Sequence, residues 1–568
     1  MNYLFAGLGG SEFRMNASSN SKNQNETCPA ELPNFCAQRH WAIFWILILC
    51  SLSVVAGRVL TLQNYQARGD SPFFSANDRS RWCTIRSLGD NGTYEIDEVI
   101  RRGQSIDWDS IDKVQHAGED GRLHFYSSKP TLLPTLLAGV YHGVKTLTGK
   151  DLESDPIFVT RLILLLVNVG GWAVYLYFMA LTINSIPVRD WSRYYVLACA
   201  GFGTYLSTYA NTLNNHLPAA ISVMISLYCL SVIWRKDKAG WRYYFAAGLF
   251  SAFAAANELP ALSFFSLAAL YCIIRSPRRM AFGFVPAFVL VALGFFGTNF
   301  LAHGQYRPAY AHRGDGGVVA TLAGDFDGAL DKGQLPTKLN YFDLESPEVS
   351  PGTWPSSPRD ETRWVVRDLL SSKQFSVVRI GESGSSGFEY EIRQWDNWYD
   401  YPGSYWLDVN AESKSLVDRG QPSQVLYAFH VLFGHHGIFS LTPMWVMSFA
   451  GMFSLLLGAK MAGQFQMRWL GFMTVVLSIV VIGFYLNRPE MDRNYGGVTS
   501  ALRWLFWLAP LWLVCMLPVV DGMARTRIGK VTCYLLFAVS AVSACYSVAN
   551  PWVHPWLYEV WEITGLPR

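Results

Sequence analysis

Eleven stretches of mostly apolar residues, most close to the length that crosses a bilayer, constrain this sequence more than any other feature. They lie at roughly 41–62, 157–183, 194–211, 217–234, 243–257, 259–275, 281–301, 439–458, 469–487, 503–520 and 531–549. A spanning helix needs about 20 apolar residues, and in lipid every backbone N–H and C=O must be satisfied inside the segment. The pattern predicts a mainly α fold, a polytopic membrane helix bundle of about eleven transmembrane helices. Charged residues make up only 16% of the chain, against about 25% in a soluble domain. The first run has no small-residue cleavage site, so it reads as an uncleaved anchor.

Basic residues orient the spans. With the N-terminus in the cytoplasm, Lys and Arg concentrate in the short connections at 189–193, 235–242, 275–279, 460–468 and 525–530, as the positive-inside rule requires. The opposite face then carries a long first loop, 63–156, short turns near 211–216 and 257–258, a large insertion at 302–438, the loop at 487–500 and the C-terminus. Four regions follow: a disordered cytoplasmic tail at 1–40 (with Met15 an alternative start), an N-terminal membrane module at 41–301 that includes the loop, the extracytoplasmic insertion, and a C-terminal membrane module at 439–568.

The insertion is soluble in character and reads as an α+β domain. Residues 375–380 and 388–392 alternate around a Gly-rich turn, the signature of a hairpin. An aromatic-acidic cluster, Trp395-Asp396-Asn397-Trp398-Tyr399-Asp400-Tyr401, suits either sugar contact or an ordinary small core. No Lys/Arg block or nucleic-acid motif is present, so no nucleic-acid partner is expected. Most of the ten cysteines sit in apolar runs, without zinc-site spacing.

Chemistry-bearing residues recur on the outer face. Asp78, in Asn77-Asp78-Arg79-Ser80-Arg81-Trp82, could take a proton from an acceptor hydroxyl; a helix N-cap accounts equally for an acid there. Lys129, in Tyr126-Ser127-Ser128-Lys129-Pro130, could hold a phosphate as a point charge, or snorkel to the headgroups, and Arg161 poses the same choice. Asn215, His216 and Glu258 are polar residues between apolar helices, where polar groups are costly and mark function by default. Arg503 follows Gly496-Gly497, a turn whose amides and guanidinium could hold an anion. Arg81, Tyr126, His435, His436 and Tyr495 complete the substrate-contact candidates. Adjacent histidines alone are a weak metal signal; no metal ligand is assigned, and a divalent cation stays open.

These residues make the chain resemble the GT-C superfamily of integral membrane glycosyltransferases, in the branch of protein O-mannosyltransferases and lipid A aminoarabinose transferases. Asp78 takes the place of the family's first-loop acid, although Arg79 follows it where Glu often stands. Lys129-Pro130-Thr131-Leu132 is similar to a Lys-Pro-Pro-Leu segment, with Thr for the second Pro. Arg161 matches an arginine that opens the next helix, and the stretch from Gly496 to Arg503 is similar to a Gly-rich last loop, without its Pro. The resemblance implies a polyprenyl-phosphate sugar donor, a hydroxyl or phosphate acceptor on a lipid, glycan or protein, Asp78 as base, and Lys129, Arg161 and Arg503 on the donor phosphate. It also implies a bacterial inner membrane with the active site outside, and an insertion that positions the acceptor. The competing readings are a lipid or glycan transporter or flippase, a glycan ligase of the same architecture, and a non-catalytic membrane protein.

Overall fold

The structure, a computed structural model, describes residues 33–64, 71–101, 106–236, 238–351, 362–371, 373–382, 387–406, 420–458 and 464–565. The chain divides into two units at residues 45 and 46. In the first, the described residues are entirely helical and open helix α1 (Pro33–Leu60), which starts ahead of the apolar run. The rest of the expected tail lies outside the described residues. Apart from the start of the span that begins at His40, everything below concerns the second unit.

Among the described residues, seven helices are long and apolar enough to cross a membrane: His40–Leu60, Pro156–Asn184, His216–Arg235, Pro277–His303, Met467–Leu486, Arg503–Met523 and Arg527–Tyr546. Broad apolar surface is left outward on several of them, as at Ile46, Leu166, Leu293, Ile479 and Leu535. The protein is a multi-pass membrane protein. Each of the eleven expected runs contains helix, but in four of them the helix is too short or too broken to count as a full span. The run at 194–211 breaks at Gly203 into Asp190–Phe202 and Tyr205–Thr208. Trp241–Asn257 has 17 residues, about 26 Å at 1.5 Å each, short of a hydrocarbon core of about 30 Å. Leu259–Arg275 and Trp445–Leu456 are shorter apolar helices as well.

Two helices form the middle of the bundle. His216–Arg235 is 83% buried and Arg503–Met523 78%, whereas no other candidate span exceeds 44%. Both begin with a residue of the candidate site. Close packing around them depends on small residues. A Cβ on Gly451 of Trp445–Leu456 would lie 1.9 Å from the Cys515 carbonyl oxygen of the neighbouring helix.

The first loop is ordered by its own elements. Helix α2 (Ala76–Asn91) starts at a capping box: the Ser75 hydroxyl accepts from Asp78 N–H, and the Asp78 carboxylate accepts from Ser75 N–H. It stops at Gly92, whose φ of 70° suits a residue without a Cβ. Strands β1 (Lys113–Ala117) and β2 (Leu123–Ser127) form an antiparallel hairpin. Helix α3 (Leu132–Thr148) buries Leu133, Leu137, Tyr141 and Val144 on one stripe against α2.

The insertion is a five-stranded antiparallel sheet in the order β3 (Val318–Gly324), β7 (Phe388–Gln394), β6 (Gln374–Glu382), β5 (Arg363–Asp368), β4 (Pro347–Pro351). The hairpin read from alternation is β6–β7, with Val377 opposite Ile392 and a bulge near Gly381. Trp364, Phe375, Tyr390 and Ile392 build its core. The aromatic-acidic cluster lies beside the sheet rather than in its core. Trp398 packs with Val114, Tyr126 and Ala309, and its carbonyl accepts from Gln115 N–H at 2.8 Å. The cluster thereby fastens the insertion to the first loop.

Gly451→Ala should therefore cost about 1–3 kcal/mol by overpacking and lower the thermal transition in detergent. Gly483→Ala, where a Cβ meets open space, is the control. Equal transitions for the two variants would contradict this packing.

Candidate functional site

A single cavity of about 1500 Å³ collects the scattered polar segments. Its wall takes residues from the first loop, the turns near 211–216 and 257–258, the insertion and the last loop. Arg81, Lys129, Asn215, His216, Glu258 and Arg503, six of the residues singled out from sequence, line it.

A continuous hydrogen-bonded chain runs along the wall. The Arg81 guanidinium donates to the Asn77 side chain at 2.5 Å and to Asn215 Oδ1 at 2.6 Å. Asn215 Nδ2 donates to Glu258 Oε1 at 2.6 Å, and the same carboxylate lies against His216 Nδ1. Arg503 Nη1 donates to His216 Nε2 at 2.8 Å. A guanidinium cannot accept a hydrogen bond, so Nε2 carries the lone pair and the ring proton sits on Nδ1, facing Glu258. Arg503 Nε and Nη2 both donate to the Gly496 carbonyl, at 3.1 and 2.7 Å. Gly496 has φ 99°, and a Cβ there would stand 2.8 Å from Arg503 Nε, so the turn requires glycine twice over. Arg503 also lies over the Trp552 ring at 4.7 Å.

Lys129 enters from the opposite loop. Its Nζ pairs with Asp112 at 2.8 Å, and the Ser128 N–H and hydroxyl hold the Asp112 carbonyl. Burial pulls its ammonium down to about 8, with Arg81 and Arg503 adding like-charge repulsion and Asp112 opposing. Burial likewise lowers Arg81 to about 10, with Arg503 the next cause. Three cations thus converge closely enough to disfavour one another. The wall as a whole has five basic side chains, Arg81, Lys129, Arg313, Arg488 and Arg503, against three carboxylates, Asp112, Glu258 and Asp492. An anion would relieve that excess.

The remaining candidates lie elsewhere. Asp78 is 1% exposed and does not line the cavity. Its carboxylate accepts from Phe74 N–H at 3.1 Å and Ser75 N–H at 3.0 Å. Burial pushes its carboxyl up to about 6 despite those two bonds. Arg161 gives Nε and Nη2 to the Leu62 carbonyl, at 3.1 and 2.8 Å, and ties the loop entrance. Tyr126 stacks on His116 at 4.1 Å inside the core shared with the insertion. His435, His436 and Tyr495 form a separate aromatic box: His436 stacks on Tyr495 at 4.1 Å, and its Nε2 contacts the Thr499 carbonyl at 3.2 Å. That box braces the loop leading to Arg503. Among the described residues, no group of three or more His, Cys, Asp or Glu side chains could hold a metal ion.

Sequence reasoning missed Asn77, Asp112, Arg313, Tyr399, Trp406 and Trp552 as wall residues. Tyr399 stood inside the aromatic-acidic cluster, and Asn77 beside Asp78. Asp112 carries no local signal, because its pairing with Lys129 spans the β1–β2 hairpin.

No family model matches the sequence, and no curated protein matches it. Among solved structures the chain is similar to the S. cerevisiae protein O-mannosyltransferase Pmt1-Pmt2 complex bound to the sugar donor, at 11% identity and a TM-score of 0.45, over 92% of each chain.

Anion affinity should fall as pH rises through about 8, where Lys129 loses its proton. Sulfate, whose charge is constant over that range, is the probe. Lys129→Arg should flatten the profile, since a guanidinium stays charged well above this range. A wild-type profile that is already flat would detach Lys129 from anion binding.

Proposed function

We propose that this protein is a membrane glycosyltransferase that moves a sugar from a polyprenyl-phosphate donor to an acceptor hydroxyl or phosphate at the extracytoplasmic face. The observation that carries this reading is the amphiphilic character of this cavity. Lys129, Arg81 and Arg503 line it together with the apolar Leu259, Val480 and Phe484. Those three apolar residues are 60%, 50% and 57% exposed, and two of them sit on the spanning helix Met467–Leu486. An anionic head with a hydrocarbon tail fits such a lining, the tail leaving sideways into lipid.

The reaction is a displacement at the anomeric carbon. The acceptor oxygen bonds to that carbon while the carbon–oxygen bond to phosphate breaks. The electron pair leaves with the phosphate, whose developing charge Lys129, Arg81 and Arg503 meet. The acceptor proton needs a carboxylate in the cavity. Asp78 is turned into its cap, so we assign the base to Glu258. Asn215 and His216 both engage its Oε1, which leaves Oε2 for the acceptor. A single displacement inverts the anomeric configuration. Asp78 acts as a positioning residue that sets the start of α2, and so the places of Asn77 and Arg81.

Purified protein incubated with radiolabelled polyprenyl-phosphate sugars should transfer label or release lipid phosphate. Glu258→Gln should lower turnover about 10²–10⁴-fold, the range for a lost general base. Asp78→Asn should lower it by less than about tenfold, with a loss of stability of about 1 kcal/mol from the weakened cap. The reverse order would return the base to Asp78. Intact donor across the whole panel would sink the transferase reading, and a lipid-transport assay in liposomes would then test the flippase alternative.

A further inference from the structure

Among the described residues, the insertion contributes one cation to the cavity, Arg313, and it is unlike its neighbours. Among the described arginines of the insertion, Arg307 pairs with Asp396, Arg363 with Asp315, Arg367 with Asp400, Arg379 with Asp327 and Arg393 with Glu391. Arg313 pairs with no carboxylate among the described residues, and its Nε is buried without a hydrogen bond. Two aromatic rings hold it instead: the guanidinium carbon lies 5.0 Å from the Tyr399 ring centre and 5.5 Å from that of Trp406. All three residues line the cavity.

The rings are themselves anchored. Trp406 Nε1 donates to the Ile111 carbonyl at 2.8 Å, and Tyr399 N–H donates to Asn397 Oδ1 at 3.1 Å. Arg313 faces Asn397 in an isolated antiparallel bridge. A guanidinium packed by its faces keeps its N–H edge for a planar or tetrahedral anion. Holding a cation on a cavity wall without a paired carboxylate is costly, and a ligand anion offsets that cost.

We propose that Arg313, between Tyr399 and Trp406, is a second anion subsite, and that the acceptor carries a carboxylate or phosphate which it receives. The proposal rests on the transferase reading only in naming that ligand the acceptor. The insertion would thus select acidic acceptors, with the accepting group directed toward Glu258.

Equilibrium binding of radiolabelled inorganic phosphate to the purified full chain tests this. Wild type should bind two phosphates, Arg313→Gln one and Arg503→Gln one. In the Arg503→Gln background, where only the Arg313 subsite remains, competition by acetate distinguishes a carboxylate site from a phosphate site. Full stoichiometry in Arg313→Gln would overturn the inference and leave the donor site standing. Full stoichiometry in Arg503→Gln, with loss in Arg313→Gln, would instead remove the donor-phosphate reading. Should the Gln variant not fold, Arg313→Lys decides: a second site weakened about tenfold supports the fork geometry, and unchanged affinity overturns it.

Discussion

Buried charge in a membrane bundle must be answered by other polar groups, and the contact between Arg503 and His216 is where this protein answers it. The two residues open the two most buried candidate spans, and their hydrogen bond fixes how those helices meet. From that point the chain of bonds extends to Gly496 on one side and through Glu258 and Asn215 to Arg81 on the other. Removing one member leaves buried donors or acceptors unmatched, which costs more than the bond itself is worth. The network is therefore both a structural brace and the floor of the cavity.

The extramembrane parts are built to serve that floor. The capping box at Ser75 and Asp78 sets where α2 begins, and one turn later Arg81 reaches Asn215. The β1–β2 hairpin brings Asp112 beside Lys129. The insertion packs Trp398 against that hairpin and presents Tyr399, Trp406 and Arg313 to the cavity. A buried aromatic seam thus converts a separate sheet domain into one wall of the site. The box of His435, His436 and Tyr495 performs the same service for the last loop, holding the Thr499 carbonyl close to the turn at Gly496.

Much of this was legible in the residues, for reasons that are local. A spanning helix announces itself by about 20 apolar residues, so His216–Arg235 and Arg527–Tyr546 were readable; Asp190–Phe202 was not, because whether a helix runs on past Gly203 depends on its neighbours. Period-2 alternation revealed the β6–β7 pair. Polar residues between apolar helices pointed to Asn215, His216 and Glu258 because burying them is expensive wherever they end up. Asp78 shows the limit. An acid after Ser75 fits a cap and a catalytic base equally well in sequence; the fold adds that its carboxylate accepts the Phe74 and Ser75 N–H groups, on which our assignment of the base to Glu258 rests.

The sequence by itself determined the membrane class, the apolar runs, the hairpin of the insertion and most of the polar residues that meet. Each of these follows from hydropathy, periodicity or the cost of burying a polar group, all properties of a short stretch of chain. Tertiary structure alone decided which polar residues face one cavity, that Asp112 answers Lys129, and that Arg313 stands against two rings with no carboxylate partner among the described residues. Those are pairings across tens to hundreds of residues. They depend on where whole helices and the inserted sheet come to rest, and no local pattern records that.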